Sequence, residues 1–134
     1  MVTRNARLIA IVEDDQTLAG TYQQVLEEEG GWRTLVVDDG EEALHRLPEV
    51  HPDLILLDMM LPGLDGAALY RLLRARPETA RTPILIVTAS QVWKLHRVGL
   101  EPSAYLHKPF EVADLLSAVA ALLADPPDPP ADTE

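Results

Sequence analysis

Short apolar runs punctuate the chain at regular intervals: LIAIV at 8–12, TLVV at 34–37, LILL at 54–57, ILIV at 84–87 and a weaker AYL at 104–106. Runs of four or five apolar residues bounded by polar ones predict strands buried on both faces. The stretches between them follow a different period. Leu18, Tyr22, Val25 and Leu26 fall at i, i+4, i+7 and i+8, and Asp15 is placed to cap that helix. GEEALHRL at 40–47 opens with acids in its first turn and repeats Ala43, Leu44 and Leu47. GAALYRLLRAR at 66–76 stacks Leu69, Leu72 and Leu73, and FEVADLLSAVAALLA at 110–124 is the longest and most apolar helical pattern. Between 91 and 103, QVWKLHRVGLEPS supports one short helix, ended by Gly99 and Pro102.

Five strand signals alternating with helices predict an α/β domain of (βα)5 type. Such alternation implies a doubly wound five-stranded parallel sheet, with helices on both faces and right-handed crossovers. Residues 1–124 are expected to form this one domain. The remainder, 125–134, is rich in proline and acid, which predicts a disordered or extended tail or a truncated linker. At 134 residues and 47% hydrophobic content the chain can bury a core. It has no cysteine, which excludes disulfides, thiolate metal sites and a cysteine nucleophile. Its net charge of −11, from 22 acids against 11 Lys plus Arg, repels nucleic acid and anionic membranes. The expectation is therefore no direct contact with either. The apolar run at the N-terminus is five residues long, too short for a signal peptide or a membrane span, so a cytoplasmic location is expected.

In an open parallel sheet, ligands bind beyond the carboxyl ends of the strands. The first apolar run is followed by Glu13, Asp14 and Asp15; the third by Asp58; the fourth by Thr88, Ala89 and Ser90; the fifth by His107, Lys108 and Pro109. Taken singly, each has an ordinary explanation as a helix cap, a turn or an exposed charge. A cap or turn has no reason to recur at all these strand ends, and carboxylates facing one another repel unless a cation sits among them. Magnesium suits such a set because it takes oxygen ligands and keeps waters of its own. A lysine opposite adds the second positive charge that phosphoryl groups require.

The motifs IVEDD, LILLDMMLPGLDG, ILIVTAS and YLHKPF, in that order and each closing a predicted strand, are similar to those of the receiver domains of two-component response regulators. The resemblance covers residues 6 to 124. It implies a flavodoxin-like sheet of order 2-1-3-4-5, and roles for individual residues. Asp58 corresponds to the aspartate that accepts a phosphoryl group, Asp14 to the direct magnesium ligand and Glu13 to its neighbour acting through water. The carbonyl of Met60 corresponds to the backbone ligand of that ion. Thr88 corresponds to the switch hydroxyl, Ala89 to the small residue beside the phosphoryl group, Tyr105 to the switch aromatic and Lys108 to the lysine on phosphate. The resemblance further implies Mg2+ as cofactor, a cis bond between Lys108 and Pro109, and a sensor histidine kinase or phosphotransfer protein as donor. A downstream protein target would receive the signal. The chain departs from the common pattern with Pro102, Ser103 and Ala104 before the aromatic, and with a shortened stretch from Thr88 to Lys108. Gly63 and Gly66 are expected to let the backbone turn away below the site.

Two rivals remain. A magnesium-dependent phosphohydrolase with an aspartyl nucleophile would carry a general acid two residues on, where this chain has Met60, which cannot transfer a proton. A flavin-binding protein would want Ser, Thr or Gly amides after the first strand, where this chain is acidic.

Overall fold

The computed structural model describes residues 6–59, 65–89, 92–97, 99–100 and 103–124. Five strands, β1 (Leu8–Val12), β2 (Arg33–Val37), β3 (Leu54–Asp58), β4 (Ile84–Thr88) and β5 (Ala104–His107), alternate with five helices. These are α1 (Gln16–Glu28), α2 (Gly40–Val50), α3 (Gly66–Ala75), α4 (Val92–Arg97) and α5 (Val112–Leu123). All strand pairs are parallel and the order is β2-β1-β3-β4-β5. The sheet is the doubly wound one that the alternation of patterns predicts. Among the described residues no helix is long and apolar enough to cross a membrane.

Side chains alternate across a strand, so each apolar run feeds two cores. Ala10, Val12, Ile55, Leu57, Ile84 and Ile86 pack with Ala43 and Leu47 of α2 and with Leu69 and Leu73 of α3. Ile9, Ile11, Leu54, Leu56, Leu85 and Val87 point the other way, onto Ala19, Tyr22 and Leu26 of α1 and Leu115, Val119 and Leu123 of α5. Each fully buried Leu, Ile or Val contributes roughly 1.5–3 kcal/mol through removal from water. In the three central strands, where every residue but Leu8 is buried, polar side chains appear only at or beyond the strand ends.

Parallel crossovers place the start of each helix beside the end of a strand, which explains several acids near the sheet's carboxyl edge. Asp15 accepts the Leu18 N–H at 3.1 Å, Asp39 accepts Glu42 N–H at 2.8 Å, and Asp65 accepts Ala67 N–H at 2.7 Å. Such caps satisfy amides that the first helical turn leaves open. The pattern over 110–124 starts slightly later than its apolar content suggests, because Glu111 and Asp114 form a capping box that sets the first turn of α5. The second helix runs three residues beyond 47, through the buried Pro48, and ends at His51 in the left-handed region at φ 56°. Gly99, at φ +83°, follows α4 as expected of a residue that stops a helix.

Candidate functional site

The carboxyl edge of the central strands gathers the acids that the sequence scatters. Glu13, one residue beyond β1, is 3% exposed, and Asp58, the last residue of β3, is 5% exposed. Strands β1 and β3 are neighbours, so their ends lie side by side. Glu13, Asp14 and Asp58 each place a carboxylate oxygen within 4.8 Å of the others, Asp14 from the solvent side. Glu13 Oε2 accepts the Asp15 N–H at 3.1 Å, whereas Oε1 is buried and has no hydrogen-bond partner among the described residues. Burial first, and the facing Asp58 carboxylate second, raise the Glu13 pKa from 4.5 to about 8, against the opposing pull of the Asp15 amide and Lys108. Two facing carboxylates, acceptors both, can bond only with a proton or a cation between them. The orphaned Oε1 and the close oxygens fit a hard divalent cation on chemical grounds.

Lys108 arrives from the other side. It follows β5 directly, its N–H donates to the Thr88 carbonyl at 2.8 Å, and its Nζ lies 3.2 Å from Asp58 Oδ2. The Lys108 side chain remains 30% exposed against 6% for Asp58, so one end of the pair is open to an incoming group. The bond between Lys108 and Pro109 is cis, as the resemblance implies. Thr88 ends β4 and is buried; Ala89 beside it is exposed. Tyr105 is 42% exposed on the edge strand and thus outside the acid pocket. Met60, Gly63, Ser90, Pro102 and the tail 125–134 lie outside the described residues.

Gly66 requires a correction. It is not a turn residue but the first residue of α3, with no unusual φ; a Cβ there would meet the Met59 Cα at 2.7 Å and its carbonyl oxygen at 2.8 Å. Its smallness lets the start of α3 close onto the chain leaving Asp58. Other features carry no mark in the sequence. Tyr22 stacks on Phe110, with ring centroids 6.2 Å apart and planes at 20°. The Arg74 guanidinium donates to the Thr79 and Thr82 carbonyls, and reaches the Ser103 hydroxyl at 3.4 Å, tying two loops at the opposite edge of the sheet. The Tyr22–Phe110 and Arg74–Ser103 contacts pair residues remote in the chain, which one sequence does not reveal.

Residues 9–120 match the family described as the response regulator receiver domain, and the chain belongs to it. It is similar to the phosphate regulon transcriptional regulatory protein PhoB of Rhizobium meliloti, at 43% identity over 117 residues, covering 86% of the chain and 51% of that protein. A DNA-binding response regulator, MtrA of Mycolicibacterium paratuberculosis, is 40% identical over 126 residues, 92% of the chain and 54% of that protein. The chain thus spans about half the length of these two relatives. Among solved structures, the receiver domain of a sensor histidine kinase of Pseudomonas aeruginosa, with a magnesium ion coordinated in its active site cleft, superposes with a TM-score of 0.80. That domain is 29% identical, and the match covers 88% of this chain and 98% of that one. The chain is a receiver domain of the two-component response regulators, and the phosphohydrolase alternative is not favoured. The name of the mycobacterial relative stands against the expectation of no nucleic-acid contact, but the match reaches only about half of that protein.

Proposed function

We propose that Asp58 is the phosphoacceptor of a signalling switch, charged by a phosphohistidine of a sensor kinase or phosphotransfer protein. The observation that carries this is the position of Asp58: buried at the end of β3, between the Glu13 and Asp14 carboxylates and the Lys108 ammonium. A carboxylate held rigidly beside positive charge is a competent nucleophile toward phosphorus. An Asp58 oxygen forms the new O–P bond as the P–N bond of the donor breaks. The electron pair leaves with the imidazole, which takes up a proton. Lys108 neutralises charge growing on the transferred oxygens. A magnesium ion held by Glu13, Asp14 and Asp58, with the Met60 carbonyl, would supply further charge neutralisation at those oxygens.

The product adds roughly one to two negative charges next to Thr88, Ala89 and Lys108. Thr88 turns its hydroxyl to the new oxygens and Tyr105, exposed before the event, moves inward, so a local charge becomes an altered surface. A downstream protein reads that surface. The strong acidity of the chain favours a protein reader over nucleic acid for this domain, and the setting of a kinase relay favours the cytoplasm. Catalysis by the domain is confined to gain and loss of its own phosphoryl group. The test is incubation with a small acyl phosphate and magnesium, followed by mass spectrometry. One added phosphoryl group is expected, absent in Asp58→Asn. A modification that persists in that variant would reject the assignment.

A further inference from the structure

Lys108 is a flexible side chain on a short turn, and its ammonium must stay within reach of Asp58. One anchor of that turn is the hydrogen bond from Lys108 N–H to the Thr88 carbonyl. The second is aromatic. Phe110, two residues past the lysine and half-buried, stacks on Tyr22 of α1, which is 6% exposed. The two rings, with Val25, Lys108, Pro109 and Leu115, line a solvent-open groove of about 470 Å3 between α1 and α5. Phe110 also packs against the core between the sheet, α1 and α5, so the turn is seated on that side through its ring.

Burial, and then the nearby carboxylates of Glu13, Asp58 and Asp15, push the Tyr22 hydroxyl up to about 12. Through Phe110, the Tyr22 ring touches the turn that carries Lys108. A leucine would fill the same core position on the helical face, but would give Phe110 no flat partner.

We infer that Tyr22 is a positioning residue for Lys108: its ring, stacked on Phe110, fixes the turn after β5 so that the ammonium stays on Asp58. This rests on the reading of Asp58 as phosphoacceptor and of Lys108 as its electrostatic partner. The effect acts through the lysine, so it disappears when the lysine is gone.

The experiment is a double-mutant cycle on the rate of Asp58 phosphorylation by acetyl phosphate with saturating magnesium, followed by mass spectrometry on the whole chain. Tyr22→Leu is expected to slow the reaction about tenfold, the scale of effect of a small misplacement of a reacting group. Tyr22→Phe, which keeps the stack, is expected to stay within about twofold of the unaltered chain. Phe110→Leu, which breaks the stack from the other side, should show the same loss as Tyr22→Leu and serves if that variant does not fold. Stabilisation by magnesium should persist in all three, because none removes a carboxylate. In a Lys108→Ala background, adding Tyr22→Leu should change the rate no further. An equal slowing by Tyr22→Leu with and without the lysine would overturn the inference and leave the function standing. A Lys108→Ala chain as fast as the unaltered one would overturn the inference and the role given to Lys108, whereas Asp58 as acceptor falls only if the modification persists in Asp58→Asn.

Discussion

Glu13 and Asp58 end neighbouring strands, and their carboxylates meet in a pocket from which water is nearly excluded. Without a cation, the cheapest arrangement is a proton held on Glu13, which is why burial and Asp58 raise its pKa to about 8. The consequence for stability has a definite sign. The folded state binds this proton more tightly than the unfolded state does, so the stabilisation is full below about 4.5 and fades as pH rises to about 8. In EDTA, melting temperature relative to Glu13→Gln is therefore expected to fall across that window. A parallel pH dependence for the two chains in thermal melts would refute the shared proton. Magnesium demands the deprotonated pair, so its binding should release a proton and strengthen as pH rises. Calorimetry in buffers of different ionisation enthalpy reads that release.

At the scale of elements, two glycines make opposite predictions from identical chemistry. Gly20 lies inside α1, with nothing within 4 Å of where a Cβ would stand. Glycine in an exposed helix costs about 0.5–1 kcal/mol against alanine, so Gly20→Ala should stabilise by that amount. Gly66 also lies in a helix, yet its added Cβ would strike the Met59 backbone at 2.7 Å. Backbone cannot step aside as a side-chain tip can, so Gly66→Ala should destabilise by about 1–3 kcal/mol. Denaturant titration of both variants measures the two signs; stabilisation by both would show that the approach of α3 to Met59 is not tight. The helical periodicity locates both residues in the sequence, but the sign of each substitution comes from what lies across from it. Likewise α1, α3 and the four strong apolar runs, at 8–12, 34–37, 54–57 and 84–87, are legible from their pattern alone. The extension of α2 past Pro48 is not, because a buried proline ring and a left-handed His51 outweigh local preference there.

For the whole molecule, magnesium should act as a native-state ligand. At a hundredfold excess over Kd it adds about 2.7 kcal/mol, a rise of roughly 10 °C in Tm for a domain of this size. Asp14→Asn should blunt that rise; a magnesium titration that leaves the melting curve unmoved would mean that the acids hold no metal. Assembly follows from charge. A two-fold interface must match its own copy, and α4 offers exposed Lys94, His96 and Arg97. The acids available on α5 are Glu111 and Asp114, and both are engaged in its capping box, with the Glu111 N–H donating to Asp114 at 3.0 Å. Among the described residues, a reciprocal ion-pair network across α4, β5 and α5 therefore has few free acids to build on. Light scattering with magnesium and a phosphoryl mimic should show no salt-sensitive dimer, and the appearance of one would contradict this account.

The periodicity of apolar residues by itself determined the alternation of strands and helices, because burial on two faces or on one stripe leaves different repeats in a linear chain. The order of four short motifs marked Glu13, Asp14, Asp58, Thr88 and Lys108 as residues of one edge, since parallel crossovers bring all strand ends to the same side. Tertiary structure alone decided which acid is dry and which one Lys108 answers: Glu13 is buried while Asp14 beside it is exposed, although both read as acids after a strand, and Lys108 pairs with Asp58. It also decided that Tyr22, an ordinary core position on the face of α1, meets Phe110 from the far end of the chain. Contacts of that kind depend on distances across the fold, and a repeat along the chain carries no information about them.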